Sequence, residues 1–136
     1  MAARLLTRRP LTTTELEARL VAMGYQARTA LGVVARAREL RWLDDEALAC
    51  DRARALRARG AGPLKIAADL EARGLPAALV EAAVETSRDE REEGDWARVA
   101  LEQAGIATGS QTARAWRLLA QRGFPEDVAA RLLGLD

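Results

Sequence analysis

The strongest constraint in this sequence is a corner that recurs. Leu stands four residues before Gly at Leu20/Gly24, Leu70/Gly74 and Leu119/Gly123, in the stretches LVAMGYQARTALGVV, LEARGLPAALVEAAV and LAQRGFPEDVAARLL. An apolar residue follows each Gly (Tyr25, Leu75, Phe124), and in two of the three a Pro comes next, Pro76 and Pro125. Successive corner glycines lie 50 and then 49 positions apart. Apolar residues return six, nine and ten positions past each Gly: Ala30, Val33 and Val34, then Val80, Ala83 and Val84, then Ala129, Leu132 and Leu133. Those offsets share one face of a helix.

The physical reading is direct. Gly ends one helix in the left-handed conformation, the apolar residue fills the angle between two helices, and Pro opens the next helix. A period near 50 residues marks an internal repeat. It predicts three tandem units, residues 1–43, 44–88 and 89–136, each a longer helix followed by a helix–turn–helix. On this reading no unit closes a core alone, and stacked neighbours share burial.

Everything between the corners reads as helix. Ala, Leu, Arg and Glu fill the segments, β-branched and aromatic residues are sparse, and no run alternates with period two. The caps agree. Thr12 and Glu15 have capping-box spacing. Asp44 is placed as an N-cap, with Asp45 and Glu46 near the positive end of the helix dipole, and its helix runs to about Gly60. Gly62-Pro63 stops one helix and starts another. Ser87 with Glu90 has the spacing of a further capping box, and Ser110 is placed to cap the helix after Gly109. The expectation is an all-α fold of three tandem three-helix repeats, stacked into an elongated, curved array.

What the chain lacks narrows its chemistry. It contains no His, which removes Ser-His-Asp and Cys-His catalysis and the commonest zinc ligand. Cys50 stands alone in an Ala-rich helix and reads as a small filler in a reducing compartment. Asp44 and Asp45 are adjacent, so they point to different helix faces and make a poor catalytic pair. The glycines at 60, 62 and 74 follow no strand, so they are helix punctuation and not a phosphate cradle. No apolar run approaches the roughly 20 residues of a membrane span. The basic N-terminus has no apolar stretch behind it and does not read as a secretory signal. The expectation is a cytoplasmic monomer, not an enzyme, with no cofactor, no metal and no membrane partner.

A net charge of +1 argues against a strongly cationic nucleic-acid wrapper but leaves room for a local basic face. The densest basic stretch is DRARALRARG. With Leu48, Ala49, Ala53 and Leu56 as the apolar stripe of that helix, Arg54 and Arg57 fall on the opposite face. Arg52 lies within the stripe's arc, so its stem packs while its head reaches out. Arg59 stands at the negative helix end, and Lys65 and Arg73 on the next helix could extend the surface. Three helix–turn–helix corners would suit major-groove reading, but Glu81, Glu126 and Asp127 follow the turns and would repel phosphate. The run SRDEREEGD reads as the polar start of a helix whose buried face begins at Trp96. Trp42, Trp96 and Trp116 sit at comparable places between units, as packing residues.

Residues 40–75, LRWLDDEALACDRARALRARGAGPLKIAADLEARGL, go further: they resemble the core signature of the RecX family of recombination regulators. The pattern is carried by Trp42-Leu43-Asp44-Asp45, then spaced arginines (Arg54, Arg57, Arg59), then Gly60-x-Gly62-Pro63, the Lys65-Ile66 pair, and Leu70 through Arg73 and Gly74 to Leu75. The opening LLTRRPLTTTELEARL and the third unit's QRGF are similar to the family's as well. The resemblance implies a module that binds the filament of the RecA recombinase on single-stranded DNA and suppresses its ATP turnover and strand exchange. In that setting Arg52, Arg54, Arg57, Arg59, Lys65 and Arg73 are candidates for contact with RecA or DNA. Trp42, Asp44, Asp45, Gly60, Gly62, Pro63, Ile66, Leu70 and Gly74 are the structural signature. The alternative is a helical protein that binds nucleic acid through the arginine face without RecA.

Overall fold

A computed structural model describes residues 2–135, which form nine α-helices and no strand. They are α1 (Ala2–Arg8), α2 (Thr13–Ala22), α3 (Ala27–Glu39), α4 (Asp45–Ala58), α5 (Pro63–Ala72), α6 (Ala77–Ser87), α7 (Glu93–Gln103), α8 (Thr112–Arg122) and α9 (Glu126–Leu133). The recurring Leu is buried each time, at Leu20, Leu70 and Leu119, and each corner glycine has a positive φ. Val80, Ala83 and Ala129 face inward, as their spacing requires.

Three groups of buried residues occur, and each stays within three consecutive helices. Leu11, Leu16, Leu20, Ala30, Val34 and Leu43 pack together in α1–α3 and the segment that follows. Ala53, Leu56, Ile66, Leu70, Leu75 and Val80 do so in α4–α6, and Leu101, Ile106, Leu119, Phe124 and Ala129 in α7–α9. This corrects the expectation that neighbours share burial. In the second and third triplets the third helix folds back over the first two, and in the first α3 packs on α2; each triplet so completes a small core, and the joints between triplets are free to be polar.

The joints follow one rule: the N-terminus of one middle helix meets the corner that ends the next middle helix. At the first joint Thr12 caps α2 through a complete capping box with Glu15. Its hydroxyl also donates to the Arg73 carbonyl at 2.8 Å, and that of Thr14 donates to the Gly74 carbonyl at 3.0 Å. Asp45 accepts from the Thr13 N–H at 2.8 Å, a role across the joint beyond its place in its own helix. At the second joint the Gly62 and Leu64 N–H groups donate to the carbonyls of Arg122 and Gly123 at 2.6 and 3.0 Å. The glycines permit this closeness. A Cβ on Gly62 would stand 2.6 Å from the Gly123 oxygen, and one on Gly74, where φ is +80°, would stand 2.6 Å from Thr14 Cγ2.

Asp44 caps α4 by accepting from the Ala47 N–H, and Pro63 is the first residue of α5. Four local expectations fail. The first triplet opens on a helix of seven residues, not on its longest one. Ser87 is the buried last residue of α6, and α7 is capped instead by Glu92 with Asp95. The cap of α8 is Gln111 and not Ser110. Tyr25 does not fill the angle after its glycine: Leu75 and Phe124 are buried there, but Tyr25 is exposed.

Candidate partner-binding surfaces

The six basic candidates divide into two sets. Arg57 is 1% exposed, which corrects its placement on the solvent face. Its Nε donates to the Ser87 hydroxyl at 3.0 Å, and its two terminal nitrogens hold both carboxylate oxygens of Glu93. The Ser87 hydroxyl in turn donates a hydrogen bond to the Val84 carbonyl. The Trp96 ring lies 5.7 Å from the same guanidinium and 5.0 Å from that of Arg91. Arg57 lies beside Ala53 at the flank of the stripe, and Ser87 of α6 and Glu93 of α7 cover that flank, while Arg54 on the opposite face stays exposed.

Arg52 and Arg73 are also engaged. Arg52 donates twice to Asp69, at 3.1 and 3.0 Å. That pairing holds the Asp69 carboxyl below its ordinary range, against the opposing effect of partial burial. Arg73 donates twice to Glu15, at 3.0 and 2.8 Å, and to the Pro10 carbonyl at 3.1 Å, so it clamps the first joint. Burial works to raise the Glu15 carboxyl. The Arg73 hydrogen bonds, the Thr12 N–H and the charges of Arg73 and Arg9 outweigh it, and the net shift is downward.

Arg54, Arg59 and Lys65 are exposed. Arg54 stands apart, 3.6 Å from Asp51. Arg59 and Lys65 both border the second joint. There Arg122 donates to the Arg59 carbonyl at 2.8 Å, and the Gly123 backbone abuts Lys65. Among the described residues no ion pair engages Arg59, Lys65 or Arg122. Arg122 is absent from the basic candidates that the sequence marks. Its position immediately before the corner glycine, where Arg73 stands in the second triplet, is the signal that identifies it.

Of the signature residues, Ile66 and Leu70 are fully buried, and Gly60 lies against the Arg122 and Gln103 side chains. Trp42 differs from its expected packing role: it is 49% exposed. It borders an open groove of about 800 Å³ between the first two triplets, with Arg9, Arg41, Arg52, Arg73 and Asp44 also on its walls. Trp96 and Trp116 do pack against the third core. Cys50 packs half-buried against the second. Among the described residues no cluster of His, Cys, Asp or Glu is arranged to hold a metal, and no helix is long and apolar enough to cross a membrane.

Residues 44–84 match the family profile described as RecX, second three-helix domain. The chain is 33% identical over 139 residues to "Regulatory protein RecX" of Stenotrophomonas maltophilia strain K279a, which covers 97% of this chain and 82% of that protein. The chain belongs to the RecX family. A protein of the same printed name from Xanthomonas campestris pv. campestris is 35% identical over 127 residues, 88% of this chain and 75% of its own. The RecX crystal structure from Lactobacillus salivarius superimposes with a TM-score of 0.80 over 99% of this chain and 92% of that one, at 17% identity. The all-helical architecture is therefore that of a RecX protein. The segment matched by the profile is the middle triplet, which takes part in both joints.

Proposed function

We propose that this protein is a negative regulator of RecA that binds the RecA–single-stranded DNA filament and lowers its ATPase and strand-exchange activity. It acts by binding, not by catalysis, in the cytoplasm, as a monomer in which the triplets 1–43, 44–88 and 89–136 work as one module. The observation that supports this reading is similarity to regulatory RecX proteins along nearly the whole chain, including the segment from Asp44 to Val84. The test is the DNA-dependent ATPase of RecA with increasing amounts of the protein. Substoichiometric inhibition is expected, and unchanged turnover at molar excess overturns the reading.

A second reading, direct contact with a nucleic-acid backbone, is favoured by the cluster of Arg59, Lys65 and Arg122. Three cations without an acidic partner among the described residues suit phosphates, and such binding weakens steeply with salt. Retention of single-stranded DNA without RecA at low salt would support it.

A further inference from the structure

The groove between the first two triplets holds groups that the fold does not use. Arg41 and Trp42 lie in the turn between α3 and α4, just before the Asp44 cap. The Trp42 backbone N–H donates to the Ala37 carbonyl at 2.8 Å, and the next residue, Leu43, is buried, so the backbone is fixed on both sides of the indole. The ring itself stands half exposed on the groove wall. Among the described residues its Nε1–H has no acceptor, whereas that of Trp96 donates to the Arg88 carbonyl. The corresponding turn before α7, where Asp89 has the same left-handed φ as Arg41, carries Asp89-Glu90 in place of Arg41-Trp42. Such a turn therefore forms without an aromatic ring or a cation, and the backbone does not require either.

The charges on the groove walls are unequally matched. Arg52 and Arg73 are held by Asp69 and Glu15. Of the carboxylates, Glu15 is thus engaged, Asp44 caps α4, and Asp51 stands 3.6 Å from Arg54. The exposed side chains of Arg9 and Arg41 make no hydrogen bond or ion pair among the described residues, although the charge of Arg9 acts on Glu15. Two unmatched cations beside an unoccupied indole face suit an anion joined to a flat ring. A nucleotide in a single strand has that composition, since aromatic side chains stack its base and basic ones track its backbone. The groove, at about 800 Å³, has the size of a ligand-binding cleft. A strand fits it better than a free nucleotide: Asp44 already occupies the α4 N-terminus, where a terminal phosphate would otherwise be cradled.

We propose that this groove binds single-stranded nucleic acid, with one base stacked on Trp42 and adjoining phosphates on Arg9 and Arg41. The contact extends the nucleic-acid reading above, on which it rests for the class of partner, and is separate from Arg59, Lys65 and Arg122. The test is a titration without RecA, at low salt, of a labelled oligothymidylate and of an abasic oligonucleotide of equal length, which carries phosphates without bases. Circular dichroism and melting serve as fold controls. Trp42→Ala is expected to weaken oligothymidylate binding about 5- to 150-fold, the effect of one stacked base, and to leave abasic binding nearly unchanged. Trp42→Phe keeps a ring and recovers most of the affinity; Trp42→Leu is apolar without a ring and recovers little. These two variants decide the matter if Trp42→Ala melts early. Arg9→Gln/Arg41→Gln weakens both oligonucleotides, and unchanged binding by it overturns the phosphate contacts. Oligothymidylate binding that Trp42→Ala leaves intact overturns the stack and leaves the second-joint cations as the contact. Equal losses on both oligonucleotides, or full recovery by Trp42→Leu, also overturn the stack. Wild type that binds neither oligonucleotide overturns direct nucleic-acid contact altogether. If Trp42→Ala keeps its DNA binding but no longer co-sediments with RecA filaments, the groove belongs to a protein partner and the proposal falls.

Discussion

The Arg57 guanidinium on α4 grips both carboxylate oxygens of Glu93, the first residue of α7, from a position sealed off from solvent. This pair ties the second joint together from inside the protein. Removing one partner of a buried pair leaves an uncompensated charge, at a cost of about 3–5 kcal/mol. Glu93 retains some exposure, so the lower end applies. Glu93→Ala is expected to lower stability by about 3 kcal/mol in urea unfolding, while Arg54→Ala on the exposed side of the same helix changes it by less than about 0.5 kcal/mol.

Gly62 matters for closeness and not for its φ. A methyl group there would collide with the Gly123 carbonyl and the Phe124 ring. Gly62→Ala is expected to cost about 1–3 kcal/mol. Faster amide exchange at Leu64, whose N–H binds the Gly123 carbonyl, is the local sign that the second joint has opened.

Acid should loosen the first joint through Glu15 and the packing of α4 on α5 through Asp69. The carboxyls of Glu15 and Asp69 are both held below their ordinary values in the folded chain. Depressed carboxyls contribute stability that is complete above the unfolded-state pKa and is lost as pH falls through the folded one. Melting temperature is therefore expected to drop from about pH 4 downward on account of these groups. Asp69→Asn should flatten part of that slope, and an unaltered slope would remove Asp69 from the explanation.

The cationic cluster at the second joint predicts a salt effect. Arg59→Glu/Lys65→Glu/Arg122→Glu is expected to weaken retention of single-stranded DNA. It should also reduce the steepness of log K against log salt by about 2, at roughly 0.7 for each phosphate no longer neutralised. Titrations at several salt concentrations measure it. Arg57→Glu is unsuitable for this purpose, because it places two carboxylates face to face in a buried site.

The Leu–Gly corners, the Thr12 and Asp44 caps and Pro63 were legible because each is a local rule with a residue type of its own. A second recurring corner was not. Arg41 and Asp89, each three residues before a helix cap at Asp44 and Glu92, take the left-handed conformation with φ of 60° and 59°. Neither is Gly, so no residue type announces them. The basic face was half legible. Spacing on α4 shows which side faces away from its own stripe, but not that Ser87 and Glu93, 30 and 36 residues further on, return to cover Arg57.

The confinement of hydrocarbon to the three cores has a mechanical consequence. Bending the molecule at the first joint separates half-exposed hydrogen-bonding groups, which water can satisfy, and leaves the oily interiors closed. The second joint resists, because opening it would strand the sealed Arg57 charge. Such a chain yields at one joint before the other.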